Sequence, residues 1–425
     1  MTLKRILKII GNLLLHPGIV FLGIGVGIFI GLTHKTLAVQ LGKAGEIYLR
    51  LLQMCVLPFM ISAVVLSVGN LFRKGKANTY IIRIVTVFLA GMIIASIIGV
   101  SIGFIGKPGT HLGKEQKTVL GREIIKFEAD SGAKPTVLKN KGLLYFIKEM
   151  IPTNVFYSIT EGENLPVLFF CIIIGVALGT LRSESSDTVL SAADASYEAL
   201  MNIISWLMYG LPFGLCCLFA NQISQIGVVI FLALIFLVLL LYASSILLMV
   251  VYSIIIWLRS GHSFMYSFLA MKGALIIAIG TSSSLASIPF ALEGLHKKLK
   301  FEKETTGLVI PLGIILNPHG NIVHFALSAI FMSQLYGVSL SLSDFAIIVP
   351  MAALAGVAAS SAPGIAALSM LALLLEPFGL PVTVGILLLT AIDPIVDPIL
   401  TAVNVYGNCA TASLVAGRNP ESAYS

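Results

Sequence analysis

The sequence predicts an all-α polytopic membrane protein, with eight transmembrane spans and two re-entrant helical hairpins arranged as an inverted repeat. Three observations carry that expectation. Of 425 residues, 57% are hydrophobic and only 11% are charged, a balance foreign to a soluble globular chain of this size. Apolar runs long enough to cross ~30 Å of hydrocarbon recur along the chain. Basic residues fall in short clusters between those runs. The net charge of +7 therefore reads as a topology signal and not as a nucleic-acid surface.

Spans are expected near 13–33, 45–71, 80–106, 143–181, 190–220, 226–258, 305–335 and 382–416. The stretch 143–181 is too long for a simple span, and its IPTN and ENLP breaks predict a kinked or segmented helix. The opening MTLKRILKII is basic and amphipathic. It reads as an interfacial lead-in, because the run after it is of span length and no small-residue cleavage site stands out. Lys4, Arg5 and Lys8 put the N-terminus in the cytoplasm. Arg73, Lys74, Lys76 and Arg83 follow the second span and fall on the same side. The long hydrophilic loop 107–142 then lies outside. Its lysines alternate with Glu115, Glu123, Glu128 and Asp130, and with the lone His111 it reads as a solvated loop. Cys55, Cys171, Cys216, Cys217 and Cys409 all sit in apolar stretches without ligand spacing, so they read as packing residues. No cofactor is expected.

Charge bookkeeping predicts the hairpins. The sixth span ends at Arg259 on the inside, and the basic HKKLKFEK (296–303) follows a broken apolar run, 262–295. A re-entrant hairpin with its tip near GTSSSLASIP (280–289) keeps both ends inside. Non-helical backbone at membrane depth survives only where it lines a cavity or is buried in protein. A second broken run, 342–378, carries the tip ASSAPGIAALS (359–369) and starts from the opposite side. Each hairpin precedes a span with a central polar interruption, NPHGN (317–321) in one and DPILTAVNVYGN (397–408) in the other. Inverted repeats of this kind bind substrate near the midplane. Ser and Gly at the tips alone would more often mean close helix packing, but two tips of opposite orientation with two polar spans argue against packing alone.

The last span carries the clearest chemistry. Asp393, Asp397, Thr401, Asn404 and Asn408 are spaced four, four, three and four, which puts them on one helical face. Ionisable groups at membrane depth usually face a cavity and mark a substrate or ion path. Pro394 and Pro398 remove two amide donors and free the carbonyls of Thr390 and Pro394 from helical bonds. The plainer alternative is a polar stripe that seals helix contacts.

In RLLQMCVLP (50–58), IPTN (151–154), LPVLFF (165–170), TSSSLASIP (281–289), PLGIILNPHGN (311–321), APG (362–364) and DPILTAVNVYGN (397–408), the chain resembles the dicarboxylate/amino acid:cation symporters, the glutamate transporter homologues. Order and spacing match over nearly the whole chain. The resemblance implies a homotrimer in the cell (inner) membrane with both termini cytoplasmic. Within residues 1–258, spans two, four and five would form the scaffold. Spans three and six would join the transport core at 259–425, which moves like an elevator. By the same resemblance Asp397 pairs with the substrate ammonium, and Thr401 and Asn404 hydrogen-bond the substrate. Ser284, with the backbone near Ser282, holds the α-carboxylate, and Ala362 lies in the second tip beside it. Carbonyls of Gly313, Asn317 and Asn404 resemble one sodium site, and those of Ile315, Gly356, Val357 and Ala359 another.

Three departures shape the expected function. Acidic-substrate members carry an arginine three residues after the substrate aspartate, where this chain has Leu400. A guanidinium fork is the natural partner of a substrate carboxylate, so a neutral amino acid is expected over an acidic one. The family motif NMDGT reads NPHGN here, so that His319 replaces an aspartate, and Asn408 replaces another. Two carboxylates that help to offset bound sodium are thus absent. Fewer sodium ions are expected, with sodium at the main-chain site or a proton on His319. A neutral His319 that merely fills the unwound segment remains open. Alternatives are an acidic-substrate or dicarboxylate symporter, and an uncoupled carrier or channel built on this fold. An enzyme is not expected: the serines at 282–284 need a base within hydrogen-bond reach, and nothing in the spacing requires His319 or His324 to be one. His324 reads as a satisfied packing histidine.

Overall fold

The computed structural model describes residues 17–73, 77–110, 121, 151–181, 183–224, 228–360 and 365–417. The opening lead-in, most of loop 107–142 and Ala362 lie outside the described residues. Among the described residues every regular element is helical. The first six apolar stretches form α1 (Pro17–Thr33), α2 (Lys35–Arg73), α3 (Ala77–Gly106), α4 (Val155–Glu161), α5 (Asn164–Thr180), α6 (Glu184–Leu207), α7 (Leu211–Ser224) and α8 (Val228–Ser260). The kinked 143–181 run resolves into α4 and α5, with Gly162 in the left-handed region (φ 71°) ending α4. A single 3₁₀ turn joins α6 to α7, so Glu184–Ser224 runs as one long element.

Seven described helices are long and apolar enough to cross a membrane. They include Ser343–Ser360, which was expected as a hairpin arm. At 17 residues, α1 and α5 fall just short, reaching about 25 Å at 1.5 Å per residue. Their apolar sides, like that of α3, face outward: Leu32, Ile105 and Ile173 are all exposed, as residues meeting acyl chains should be. Close packing relies on missing side chains. Gly23, Gly27 and Gly31 lie on one face of α1 against Pro212, Cys216 and Ala220 of α7, where any Cβ would overlap backbone. Small residues four apart let helices approach where lipid offers no hydrophobic drive.

The last third of the chain builds the site. α9 (Phe264–Ala270) and α10 (Lys272–Thr281) meet at a 45° bend. Ser282 ends α10 with φ 49°, an uncommon conformation for a residue with a side chain. The chain then returns through a 3₁₀ turn, α11 (Ile288–Leu292) and a π-helical turn over Glu293–Lys298. Tyr266 Oη bonds the Lys298 carbonyl at 3.3 Å, and Gly294 fits against Ala270 and Met271, so the two arms form a helical hairpin. The span expected at 305–335 is split into α12 (Lys303–Leu316) and α13 (His319–Leu335) at Asn317–Pro318, where the proline cannot donate to the helix ladder. α14 (Leu342–Ser360) packs against its own return through α15 (Ile365–Leu368) and α16 (Ala372–Leu375). α17 (Val382–Val415) runs unbroken through Pro394 and Pro398. Arg259 closes its end, donating to the carbonyls of Ser413 (3.0 Å) and Ala416 (3.3 Å).

Candidate functional site

A cavity of about 770 Å³ opens where the first hairpin tip, the α12–α13 break, the end of α14 and the middle of α17 converge. Ser282, Ser283 and Ser284 form one wall. Asp393, Asp397, Leu400, Thr401 and Asn404 of α17 form the opposite one. Ile315, Asn321 and His324 line the side between them, with Ala359 and Ser360 from α14. Tyr157, Glu161 and Glu163 of the α4–α5 corner stand at the exposed rim. One helical face thus delivers the whole polar stripe, except its last member, to one cavity.

The carboxylate of Asp397 accepts a long bond from Thr401 Oγ1 at 3.4 Å. The Ser282 hydroxyl lies beside it without closing a hydrogen bond. Among the described residues neither Asp393 nor Asp397 has a cationic partner, and none of the described lining residues is Lys or Arg. Asn404 lines the cavity and is also held by its neighbours. Its Oδ1 accepts the Gly320 amide at 2.7 Å and its Nδ2 donates to Asn321 Oδ1 at 3.0 Å. Gly320 permits this approach, because a Cβ there would overlap the Leu400 carbonyl.

Behind that wall lies a second polar group, fully buried. Asn408 Nδ2 donates to the carbonyls of Asn404 (2.8 Å) and Asn317 (3.1 Å), and its Oδ1 accepts from Asn317 Nδ2 at 3.2 Å. Gly313 abuts this amide, leaving no room for a Cβ. The structure therefore gathers Gly313, Asn317, Asn404 and Asn408. It directs an amide N–H₂ at two of the three carbonyls that the resemblance assigns to this sodium site, those of Asn317 and Asn404. Of the main-chain set, Ile315 and Ala359 share the cavity wall, while Gly356 packs against Ile322 with Val357 next along α14.

His319 does not line the cavity. It is 1% exposed, and its Nδ1 lies 2.8 Å from Tyr252 Oη of α8. Its Nε2 is buried without a partner, against Gly91 of α3, and Gly407 of α17 flanks the other side of the ring. Tyr252 was invisible in the sequence, as one of several hydroxyls in an apolar run that also holds Tyr242, Ser244, Ser245 and Ser253. His324 corrects an expectation: it is buried, stacked against Phe325 at 5.8 Å, yet its Nε2 has no partner and its ring lines the cavity. Its spacing from Asn321, three residues, was the available signal. Asp393 had its signal too, one turn before Asp397.

Bundled apolar helices around an acid-walled cavity built from broken helices describe a membrane carrier. Residues 18–418 match the Sodium:dicarboxylate symporter family, and the chain belongs to it. It is 29% identical over 404 residues to the proton/sodium-glutamate symport protein of Geobacillus stearothermophilus, covering 93% of this chain and 92% of that one. It is 26% identical over 376 residues to the proton/glutamate-aspartate symporter of Escherichia coli, covering 88% and 84%. With the C4-dicarboxylate transport protein of Azorhizobium caulinodans it shares 25% over 399 residues, covering 94% and 87%. The protein is accordingly a multi-pass membrane symporter and not an enzyme.

Proposed function

We propose that this protein moves amino acids whose side chain bears no carboxylate, together with a cation, across the cell (inner) membrane. The charge of the cavity carries this reading. A buried carboxylate without a cationic partner is heavily penalised, and the described lining contains carboxylates but no Lys or Arg. Buried Leu400 stands where the resemblance would place a guanidinium. Asp397 takes the α-ammonium, with Thr401 beside it, and the serine tip takes the α-carboxylate.

The coupling ion follows from Asn408. An amide that already donates to the Asn317 and Asn404 carbonyls satisfies them without sodium and offers no counter-charge. We infer fewer coupled sodium ions, with a proton shuttled through His319 and Tyr252 or sodium held by the main-chain set. The assembly would be a trimer with an elevator-like core, which light scattering on the purified particle tests; a monomer would count against it.

A second reading is favoured by one observation. The relatives are named for glutamate, aspartate and C4-dicarboxylates, and a protonated His324 could supply the positive charge such substrates need. Uptake into proteoliposomes separates the readings, using neutral and acidic amino acids and succinate under imposed proton and sodium gradients. Neutral amino acids should accumulate against their gradient under an imposed proton or sodium gradient; His319→Gln should abolish proton-driven uptake and spare sodium-driven uptake. Acidic substrates preferred at low pH, with the preference lost in His324→Gln, would establish the second reading. Equilibration without accumulation would indicate a channel or uncoupled carrier.

A further inference from the structure

We propose that Asp393 is a second cation subsite, so that the preferred ligand is an amino acid with an ammonium or guanidinium side chain. This deepens the amino-acid reading and rests on its assignment of Asp397 to the α-ammonium. Asp393 and Asp397 lie one turn apart on the same face of α17, and both line the cavity. Positions i and i+4 place their Cβ atoms about 5–6 Å apart, a distance that three or four methylenes span. A neutral zwitterion brings one ammonium and one carboxylate. The carboxylate goes to the serine tip and the ammonium to Asp397, which leaves Asp393 as an uncompensated charge in a half-buried wall. Among the described residues nothing else neutralises it. Leu400, the residue at which the family's arginine would stand, is apolar and buried.

A second observation points to the same ligand. His324 is 4% exposed, its ring lines the cavity, and its buried Nε2 has no hydrogen-bond partner. A neutral imidazole whose Nε2 carries the lone pair accepts an N–H, and a side-chain ammonium or guanidinium has N–H groups beyond those that Asp393 can use. Exposed Glu161 and Glu163 stand at the rim. Glu163 also accepts from Ser158 Oγ at 2.8 Å. They bias the approach toward positive ligands through their field.

The test is binding of labelled alanine, serine, lysine, ornithine, arginine and glutamate to the full-length protein in proteoliposomes, with and without Asp393→Asn. Lysine, ornithine or arginine should bind at least tenfold more tightly than alanine, and Asp393→Asn should collapse that ratio to near one. If the variant does not fold, the wild-type ranking still decides. Alanine or serine bound with lysine, ornithine and arginine excluded overturns this subsite and leaves the amino-acid reading standing. A preference for glutamate overturns both. A ratio unchanged in Asp393→Asn shows that any cation preference arises elsewhere and overturns the role of Asp393.

Discussion

Single atoms set the chemistry here, and two residues expose it. Asp397 faces the cavity with one long bond from Thr401, so its charge is available to a ligand. Asp397→Asn is expected to cost about 3 kcal/mol of substrate binding, roughly a 100-fold rise in Kd. An unchanged affinity in direct binding would remove Asp397 from the site. Asn408 behaves oppositely, because its charge is missing and its amide is fully used. Asn408→Asp returns a carboxylate and withdraws both N–H donors from the Asn317 and Asn404 carbonyls. Sodium should then fill that space, and the Hill slope of sodium activation should rise by about one. A slope identical to wild type would show that this group has no part in coupling. At this scale the sequence was partly readable. Periodicity put Asp393 to Asn408 on one face, but it could not reveal that Asn404 is engaged by Gly320 and Asn321. Such contacts join residues more than 80 positions apart and leave no local pattern.

Helices, not loops, position these groups, and glycines let them approach. A Cβ at Gly91 would stand 2.6 Å from His319 Nε2, whereas one at Gly25 meets nothing within 4 Å. Gly91→Ala is therefore expected to lose about 1–3 kcal/mol by overpacking and to disturb proton-driven uptake. Gly25→Ala should be neutral or slightly stabilising, since alanine is the better helix former. Thermal unfolding of the two variants side by side checks this, and equal melting shifts would contradict it. Element boundaries explain other mismatches between sequence and structure. α2 begins at Lys35, ten residues before the apolar run at 45–71. Lys35, Gln40 and Lys43 are good helix formers that hydropathy discards although the backbone does not. The α12–α13 break was legible because Pro318 announces it. The continuity of α17 was not, since two prolines in a single helix remain helical only when neighbouring helices hold it.

For the molecule as a whole, composition and charge clusters foretold a helical membrane protein, and short motifs foretold its family. They also pointed to the wall from Asp393 to Asn404. What stayed hidden was depth. Nothing in NPHGN separates Asn321, which lines the cavity, from His319, which lies behind it against α3 and α8. Distance from a cavity is a property of packed helices, and only side chains meeting across elements define it. The same packing gives Tyr252 its importance, as the polar group of α8 that hydrogen-bonds His319.

The two asparagine bridges between α13, the Asn317 corner and α17 have a thermal and kinetic corollary. Asn404 and Asn408 rivet these elements together through backbone groups on both sides, so the floor of the cavity is held by the protein's own hydrogen bonds. The serine tip is held differently: it turns on Ser282 in the left-handed region, with its hydroxyl unbonded. The ordering entropy of binding then falls on the roof alone. Deuterium should enter the Gly320 amide slowly with or without substrate, while amides from 283 to 285 should slow markedly once the cavity is filled.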